Sequence, residues 1–346
     1  MSKSEQLSFE QALRAYDYAY PRSAVALTPA EPRDSAKLLV YDRSTGKTEV
    51  DTFAHLGRQL PKGAVLVINE TKVVSARVEF TKTTGGKVRL LFVRIIRTNE
   101  WVALADRALK KGERLICGSS EAVVLSRSTE GYRVLVRGLT GLEKKHGQIP
   151  LPPYLRHSPL TEAQRRRAYQ TVFAHTTGSI AAPTASLHFT KRLLTGLQKS
   201  GIEIAKITLH VSLGTFAALT QEQWESGKLH AEEFTISAVA AKSINQALKE
   251  KRPVIAVGTT VARTLESAYA NKKVRAMHGT TRLFIRPGYK CTVVDGLITN
   301  FHVPRSSLLM LVASLVGRER LLNLYQFAIK RGFRLFSFGD AMLIRG

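Results

Sequence analysis

Apolar residues are arranged in three ways along this chain. Up to about residue 70 an opening helical pattern leads through a loop holding Pro29 and Pro32. Two apolar runs follow, KLLVYD from Lys37 to Asp42 and AVLVIN from Ala64 to Asn69, and both read as strands. From about Val73 to Gly147 come short alternating or β-branched runs: KVRLLFVRII, EWVALA, ERLICG, AVVLSR and YRVLVRG. Their spacing predicts a small antiparallel barrel, with a sandwich as the other arrangement the same pattern permits. Beyond the turn-rich GQIPLPP of Gly147–Pro153, strand-like KITLHVSL and PVIAVGT alternate with helix-like TKRLLTGLQKSG, AVAAKSINQALKEK and RSSLLMLVASLVG. Such alternation predicts an α/β layer. The expected fold class is therefore α/β. A discontinuous main domain over 1–72 and 148–346 carries an inserted antiparallel β-barrel domain over 73–147.

Composition narrows the function. Lys and Arg number 52 against 27 Asp and Glu, a net charge of +25, which favours a polyanionic partner and makes such binding salt-dependent. Nucleic acid is the expected partner, with a generally basic proteome as the plainer reading. An anionic membrane ranks below RNA, because no long amphipathic basic helix is evident. With 44% hydrophobic residues and 12 prolines, global disorder is excluded. The N-terminus shows no apolar core before a cleavage site, so a cytoplasmic protein is expected. The apolar window Ser306–Gly317 is shorter than the roughly 18–20 residues of a membrane helix. Cys117 and Cys291 lie far apart, which excludes a disulfide framework and a Cys-based zinc site.

Four polar, glycine-marked segments interrupt the pattern and are where chemistry is sought. In YQTVFAHTTGSIAAPTASLHFT (Tyr169–Thr190), small residues around Gly178 and Pro183 precede Leu187 and His188 at an expected helix start. TLHVSLGTF (Thr208–Phe216) reads as a strand ending in a Gly-Thr turn, with LHAEE after a loop. In VIAVGTTVARTLES (Val254–Ser267) a buried strand meets Gly258, Thr259 and Thr260 and then a helix, whose first N–H groups suit an anion or a hydroxyl. The fourth segment, from Phe284 to Gly317, sets Asp295, Asn300 and His302 among apolar residues, a costly pattern unless they are paired or used. Each has a plainer reading as a cap, a turn residue or a structural histidine. The Walker A and G-x-G-x-x-G fingerprints are missing, as are H-E-x-x-H and an acidic cluster, so kinase, dehydrogenase and metal chemistry lose support.

Taken in order, EPRDSAKLLVYD, VLVINETKVVSARV, IPLPPYLR, YQTVFAHTTGSIAAPTASLHFT, TLHVSLGTF, VIAVGTTVARTLES, FIRPGYKCTVVDGLITNFHVPRSSLLMLVASLVG and FRLFSFGDAMLI span nearly the whole chain. Together they resemble the S-adenosylmethionine:tRNA ribosyltransferase-isomerase family of the queuosine pathway. The resemblance implies an α/β domain with an inserted β-barrel. It also implies transfer and isomerisation of the ribosyl unit of S-adenosylmethionine onto 7-aminomethyl-7-deazaguanine at the tRNA wobble position. Epoxyqueuosine-tRNA forms, and adenine and methionine leave. S-adenosylmethionine is then a consumed co-substrate and no recycled cofactor is needed. The sulfonium acidifies the adjacent ribose carbon and protonation eases departure of adenine, so the chemistry asks for acid/base groups rather than a metal.

On that footing His188, His210, His230 and His302 are the acid/base candidates, His188 and His230 foremost, with Glu232 placed to orient or relay. Asp295 and Asp340 are candidates for a guanine-like edge, and Arg33 and Arg263 for the methionine carboxylate or an RNA phosphate. Thr184, Gly258, Thr259, Thr260 and Asn300 complete the expected substrate-binding set. The family motif H-x-M-H-x-E reads GKLHAE here, so Gly227 replaces its first His and Leu229 its Met. Lys37 stands where the family tends to have Arg, and Ser186 and Ser212 where it tends to have Gly. The departures keep two alternatives in view: a catalytically silent relative that binds structured RNA, and an enzyme using S-adenosylmethionine on another acceptor. The expected partners are tRNA and S-adenosylmethionine, with no membrane, and the expected state is a monomer.

Overall fold

The computed structural model describes residues 7–212 and 218–346. The expected Gly214-Thr215 turn lies outside the described residues. The strands ahead of the barrel are β1 (Lys37–Asp42), β2 (Thr48–Thr52), β3 (Val65–Asn69) and β4 (Thr71–Val73). Next come β5 (Arg77–Lys82), β6 (Lys87–Arg97), β7 (Glu100–Ala105), β8 (Arg114–Cys117), β9 (Ser120–Ser128), β10 (Gly131–Val136) and β11 (Gly147–Gln148). The chain continues with β12 (Thr176–Ser179), β13 (Glu203–Leu209), β14 (Lys228–Ile236), β15 (Val254–Val257), β16 (Tyr269–Ala270), β17 (Lys273–Val274), β18 (Met277–Leu283), β19 (Gly296–Asn300) and β20 (Ala341–Arg345). The helices are α1 (Phe9–Ala15), α2 (Leu56–Gln59), α3 (Leu139–His146), α4 (Glu162–Ala168), α5 (Lys191–Lys199), α6 (Gln221–Ser226), α7 (Ala238–Lys249), α8 (Thr259–Ala268), α9 (Ser307–Val316) and α10 (Arg318–Lys330).

A nine-stranded sheet in the order β18-β14-β13-β3-β15-β19-β20-β1-β2 forms the main layer. The strands β13, β3, β15 and β19 at its centre run parallel. Every residue of β3, β15 and β19 is buried, as strands covered on both faces require, and their sequences VLVIN, VIAV and GLITN are accordingly apolar runs without alternation. One face meets α7 to α10, through residues such as Ile244, Leu265, Leu309 and Tyr325; the other meets α2 and α5 through Leu56, Leu193 and Leu197. Of these helices, α5, α7 and α9 start where the sequence supplies a capping hydroxyl, from Thr190, Ser237 and Ser306 in turn.

The second sheet is a closed antiparallel barrel. Its strands run β5-β6-β7-β10-β9-β8, and β5 returns to pair with β8 through Thr81↔Ile116 and Lys82↔Leu115. Alternate residues point inward, Val88 and Leu90 on β6, Leu115 on β8, Val134 and Val136 on β10, and enclose a core with Phe80 and Phe92. Closure thus chooses the barrel over the sandwich. The runs read as strands in the sequence match β6 to β10, whereas β5 and α3 stand out only in the structure.

Candidate active site

Because β3, β13, β15 and β19 are parallel, their carboxyl ends open on one edge of the sheet, the usual place for a ligand in such a layer. A cleft of about 260 Å³ lies there. Gly258, Thr259 and Thr260 line it from the β15–α8 junction, and Asn300 and His302 from the end of β19. Gly258 has φ +93°, a conformation that favours glycine, and it starts α8 without any side-chain cap. The first-turn amides of α8 are thereby left for a ligand. Thr184 lines the opposite wall as the first residue of a 3-10 turn, Thr184–His188.

Polar atoms in this cleft wait for a partner. Asn300 is 2% exposed, yet among the described residues its Oδ1 makes no hydrogen bond, and neither does Thr260 Oγ1. A buried acceptor left alone costs about 1–3 kcal/mol, which a donor on a ligand would offset. The amide of Asn300 is held in one sense. Its Nδ2 donates to the Phe336 carbonyl at 3.1 Å and to His188 Nε2 at 3.2 Å. A carbonyl only accepts, so the nitrogen must face Phe336, and the oxygen is the amide atom left without a partner among the described residues. His188 therefore serves as an acceptor and is neutral. Burial, helped by the charges of Arg334 and Arg33, lowers its pKa to about 3, and its ring lies 5.0 Å from that of Phe53. It closes the 3-10 turn rather than starting α5, which begins at Lys191. His302 Nε2 is 2.8 Å from Thr299 Oγ1, and burial lowers its pKa to about 4.

An aromatic wall that sequence reasoning missed completes the cleft. Phe336 has φ +70°, a strained value for a bulky residue. Its ring centroid is 4.9 Å from that of Tyr154, whose hydroxyl meets Ser337 Oγ at 2.7 Å. Phe336 lies in the mixed string FRLFSFGD, which has neither strand nor helix periodicity.

Beside the cleft, sharing Leu308 with it, a smaller recess is lined by Ser212, His230, Glu232 and Arg263. Arg263 on α8 forms a buried ion pair with Glu232 through Nη1 and donates Nε to the Leu283 carbonyl at 2.9 Å, while its Nη2 has no partner among the described residues. Glu232 Oε1 also accepts from the Ser212 amide at 3.0 Å. The register of β14 against β18 shifts between Lys228 and Glu232, an irregularity of the kind that re-aims side chains at sites. It holds the exposed His230 at the recess.

Other expected residues sit elsewhere. His210 Nδ1 meets Thr71 Oγ1 at 2.9 Å, and burial lowers its pKa. Its ring is what Gly178 makes room for: a Cβ there would come within 2.8 Å of it. Arg33 donates to the carbonyls of Gln170 and Arg167. Asp295 is exposed at the amino end of β19, where it accepts from the Val254 amide at 2.9 Å, at the far end of the strand from Asn300. Asp340 is buried, accepting from the amides of Lys37 at 3.1 Å and Arg334 at 2.7 Å. Lys37 Nζ donates to the Arg331 and Gly332 carbonyls that end α10, at 2.8 and 3.0 Å. Ser186 is fully buried, and Gly227, at φ +63°, ends α6.

Known proteins extend this picture. A family model described as queuosine biosynthesis protein matches residues 13–344. The S-adenosylmethionine:tRNA ribosyltransferase-isomerase of Carboxydothermus hydrogenoformans is 43% identical, with 96% of this chain and 99% of that one covered. The protein of the same name from Rubrobacter xylanophilus is 45% identical over 95% of this chain and 96% of its own. The crystal structure of S-adenosylmethionine tRNA ribosyltransferase from Thermotoga maritima superposes with a TM-score of 0.56 at 30% identity, covering 95% of this chain and 99% of that one. With a match that runs from the first helix to the last strand, the chain belongs to the queuosine biosynthesis protein family.

Proposed function

We propose that this chain is an S-adenosylmethionine:tRNA ribosyltransferase-isomerase. It transfers the ribosyl unit of S-adenosylmethionine to 7-aminomethyl-7-deazaguanine at the tRNA wobble position and isomerises it, giving epoxyqueuosine-tRNA, adenine and methionine. The observation that carries the reading is the relationship to enzymes of that name at 43% and 45% identity over nearly the full length of both chains. S-adenosylmethionine is the consumed co-substrate, no recycled cofactor takes part, and the enzyme works as a monomer on cytoplasmic tRNA.

The cleft supports a division of labour. The α8 amino terminus, with its uncapped amides, suits the methionine carboxylate. The Tyr154–Phe336 wall suits a flat base or the sulfonium cation. Thr260 Oγ1 and Asn300 Oδ1 offer acceptors to substrate donors. His230, open to solvent beside the Glu232–Arg263 pair, removes the proton from the carbon next to the sulfonium in this reading, and Arg263 Nη2 holds an oxygen acceptor. His302, whose pKa burial lowers to about 4, adds a base-form imidazole to the cleft.

Of the departures from the family pattern, Lys37 is engaged at a helix end, away from the cleft, and nothing observed favours the catalytically silent alternative. The test is direct. Purified protein with S-adenosylmethionine and tRNA carrying the deazaguanine precursor should yield epoxyqueuosine nucleoside by mass spectrometry, with adenine released in equal amount. Absence of product at every enzyme concentration overturns the reading.

A further inference from the structure

We propose that Asn300 selects adenine over other purines in the S-adenosylmethionine subsite, and that His188 and Phe336 are positioning residues that hold its amide in the selecting sense. The inference rests on the function proposed above. Three observations carry it. First, Asn300 Oδ1 is a buried acceptor without a partner among the described residues, in a side chain that lines the cleft. Second, the amide cannot turn over to offer its nitrogen instead, because Nδ2 is committed to the Phe336 carbonyl and to His188 Nε2. Turning over would set oxygen against oxygen at Phe336, and a neutral imidazole accepting at Nε2 reinforces the same sense. Third, Phe336, whose carbonyl fixes Asn300, lines the same cleft as Asn300 and the half-buried ring of Tyr154, so a flat ring bound there lies beside the amide.

Among the donors of S-adenosylmethionine, the 6-amino group fits best. An ammonium group calls for a carboxylate, and among the described residues none lines this cleft. Ribose hydroxyls both donate and accept, so they do not need an acceptor fixed in one sense. The 6-amino group of adenine only donates. A 6-oxo purine in its place sets an acceptor against an acceptor, a mismatch that a site built around a hydrogen bond rejects strongly.

The experiment compares kcat/KM for S-adenosylmethionine and its 6-oxo analogue, S-inosylmethionine, on precursor tRNA, with S-adenosylmethionine binding followed by calorimetry. Wild type should prefer the adenosyl compound by about 100-fold or more. Asn300→Ser should bring the ratio to within about 10-fold. His188→Phe keeps a flat ring beside Phe53 but removes the acceptor, and should relax the ratio in the same direction; His188→Gln, which restores an acceptor, should keep it. A merely structural histidine would change melting temperature in both variants and the ratio in neither. Equal use of the two compounds by wild type, or a ratio that survives Asn300→Ser, overturns the proposal. If His188→Phe does not fold, Asn300→Ser decides it alone. A wild type that neither binds nor consumes S-adenosylmethionine overturns the proposed function, and the inference falls with it.

Discussion

Arg263 and Glu232 face each other across the recess in a buried ion pair, their exposures 4% and 3%. One sits on α8 and the other on β14, so the pair ties the helix that shapes the cleft to the strand that bears His230. Removing one partner of a buried pair takes away the charge that faces the other, at a cost of about 3–5 kcal/mol. Arg263→Met and Glu232→Gln should each lose stability on that scale in urea denaturation. The double variant should lose clearly less than the sum, because no charge is then stranded. Additive losses would show that the two residues are not energetically coupled.

Gly227→His tests whether the altered paired-histidine motif handicaps the enzyme. Gly227 ends α6 with φ +63°, and among the described residues a Cβ there meets only Arg286 Nη2, at 3.9 Å. Space is available, but the left-handed backbone costs an L-residue about 1–2 kcal/mol. Since Gly227 lines neither the cleft nor the recess, the expected outcome is a lower urea midpoint with kcat/KM within about twofold of wild type. A sharp rise in activity would show that a histidine at 227 reaches the chemistry after all.

Legibility in the sequence followed the range of the interactions. The β15–Gly258–α8 junction was readable because strand, turn and helix start are consecutive, and the same holds for the apolar runs of β1 and β3. Alternation revealed the barrel strands β6 to β10. It did not reveal β5, whose RVEFTK is mostly polar, or the β5–β8 pairing that closes the barrel. The site was legible as a set of polar residues but not as partnerships. That Gly178 yields to His210, that His188 sets Asn300, and that Asp340 is occupied by the amides of Lys37 and Arg334 all depend on contacts between distant segments. Phe336 gave no signal because its importance lies in a backbone angle and a ring contact.

Stability should pass through opposing pH dependences. His188 and His302 have folded-state pKa values lowered from 6.5 to about 3 and about 4, so below pH 6.5 the unfolded chain binds more protons. Their contribution is complete above pH 6.5 and is lost as pH falls toward those lower values. Glu143 runs the other way. Burial raises its carboxyl from 4.5 to about 7, so its contribution is complete below pH 4.5 and lost as pH rises through 7. Melting curves from pH 8 to pH 5 should therefore show Glu143→Gln more stable than wild type at pH 8 and converging with it at pH 5. In His188→Phe the acid-side loss should be shallower. A Glu143→Gln curve parallel to wild type would refute the assignment to that carboxyl.

The positive charge of the chain is unevenly available to a polyanion. Many barrel cations already have protein counterions: Lys87 and Arg89 pair with Glu79, Arg114 with Glu121, and Arg97 and Arg133 with Glu100. By contrast Lys144 and Lys145, exposed in the last turn of α3, form no ion pair among the described residues. A cation neutralised by a neighbouring carboxylate displaces no counterion of its own from RNA, whereas a free lysine on a phosphate does. The salt slope of binding falls by roughly one for each such contact removed. Anisotropy titrations of tRNA over a range of salt should give a steep log–log slope for wild type. Replacing both Lys144 and Lys145 with Gln should reduce it by about 2, and Arg114→Gln should leave it unchanged. Equal effects of the two changes would place the RNA away from α3.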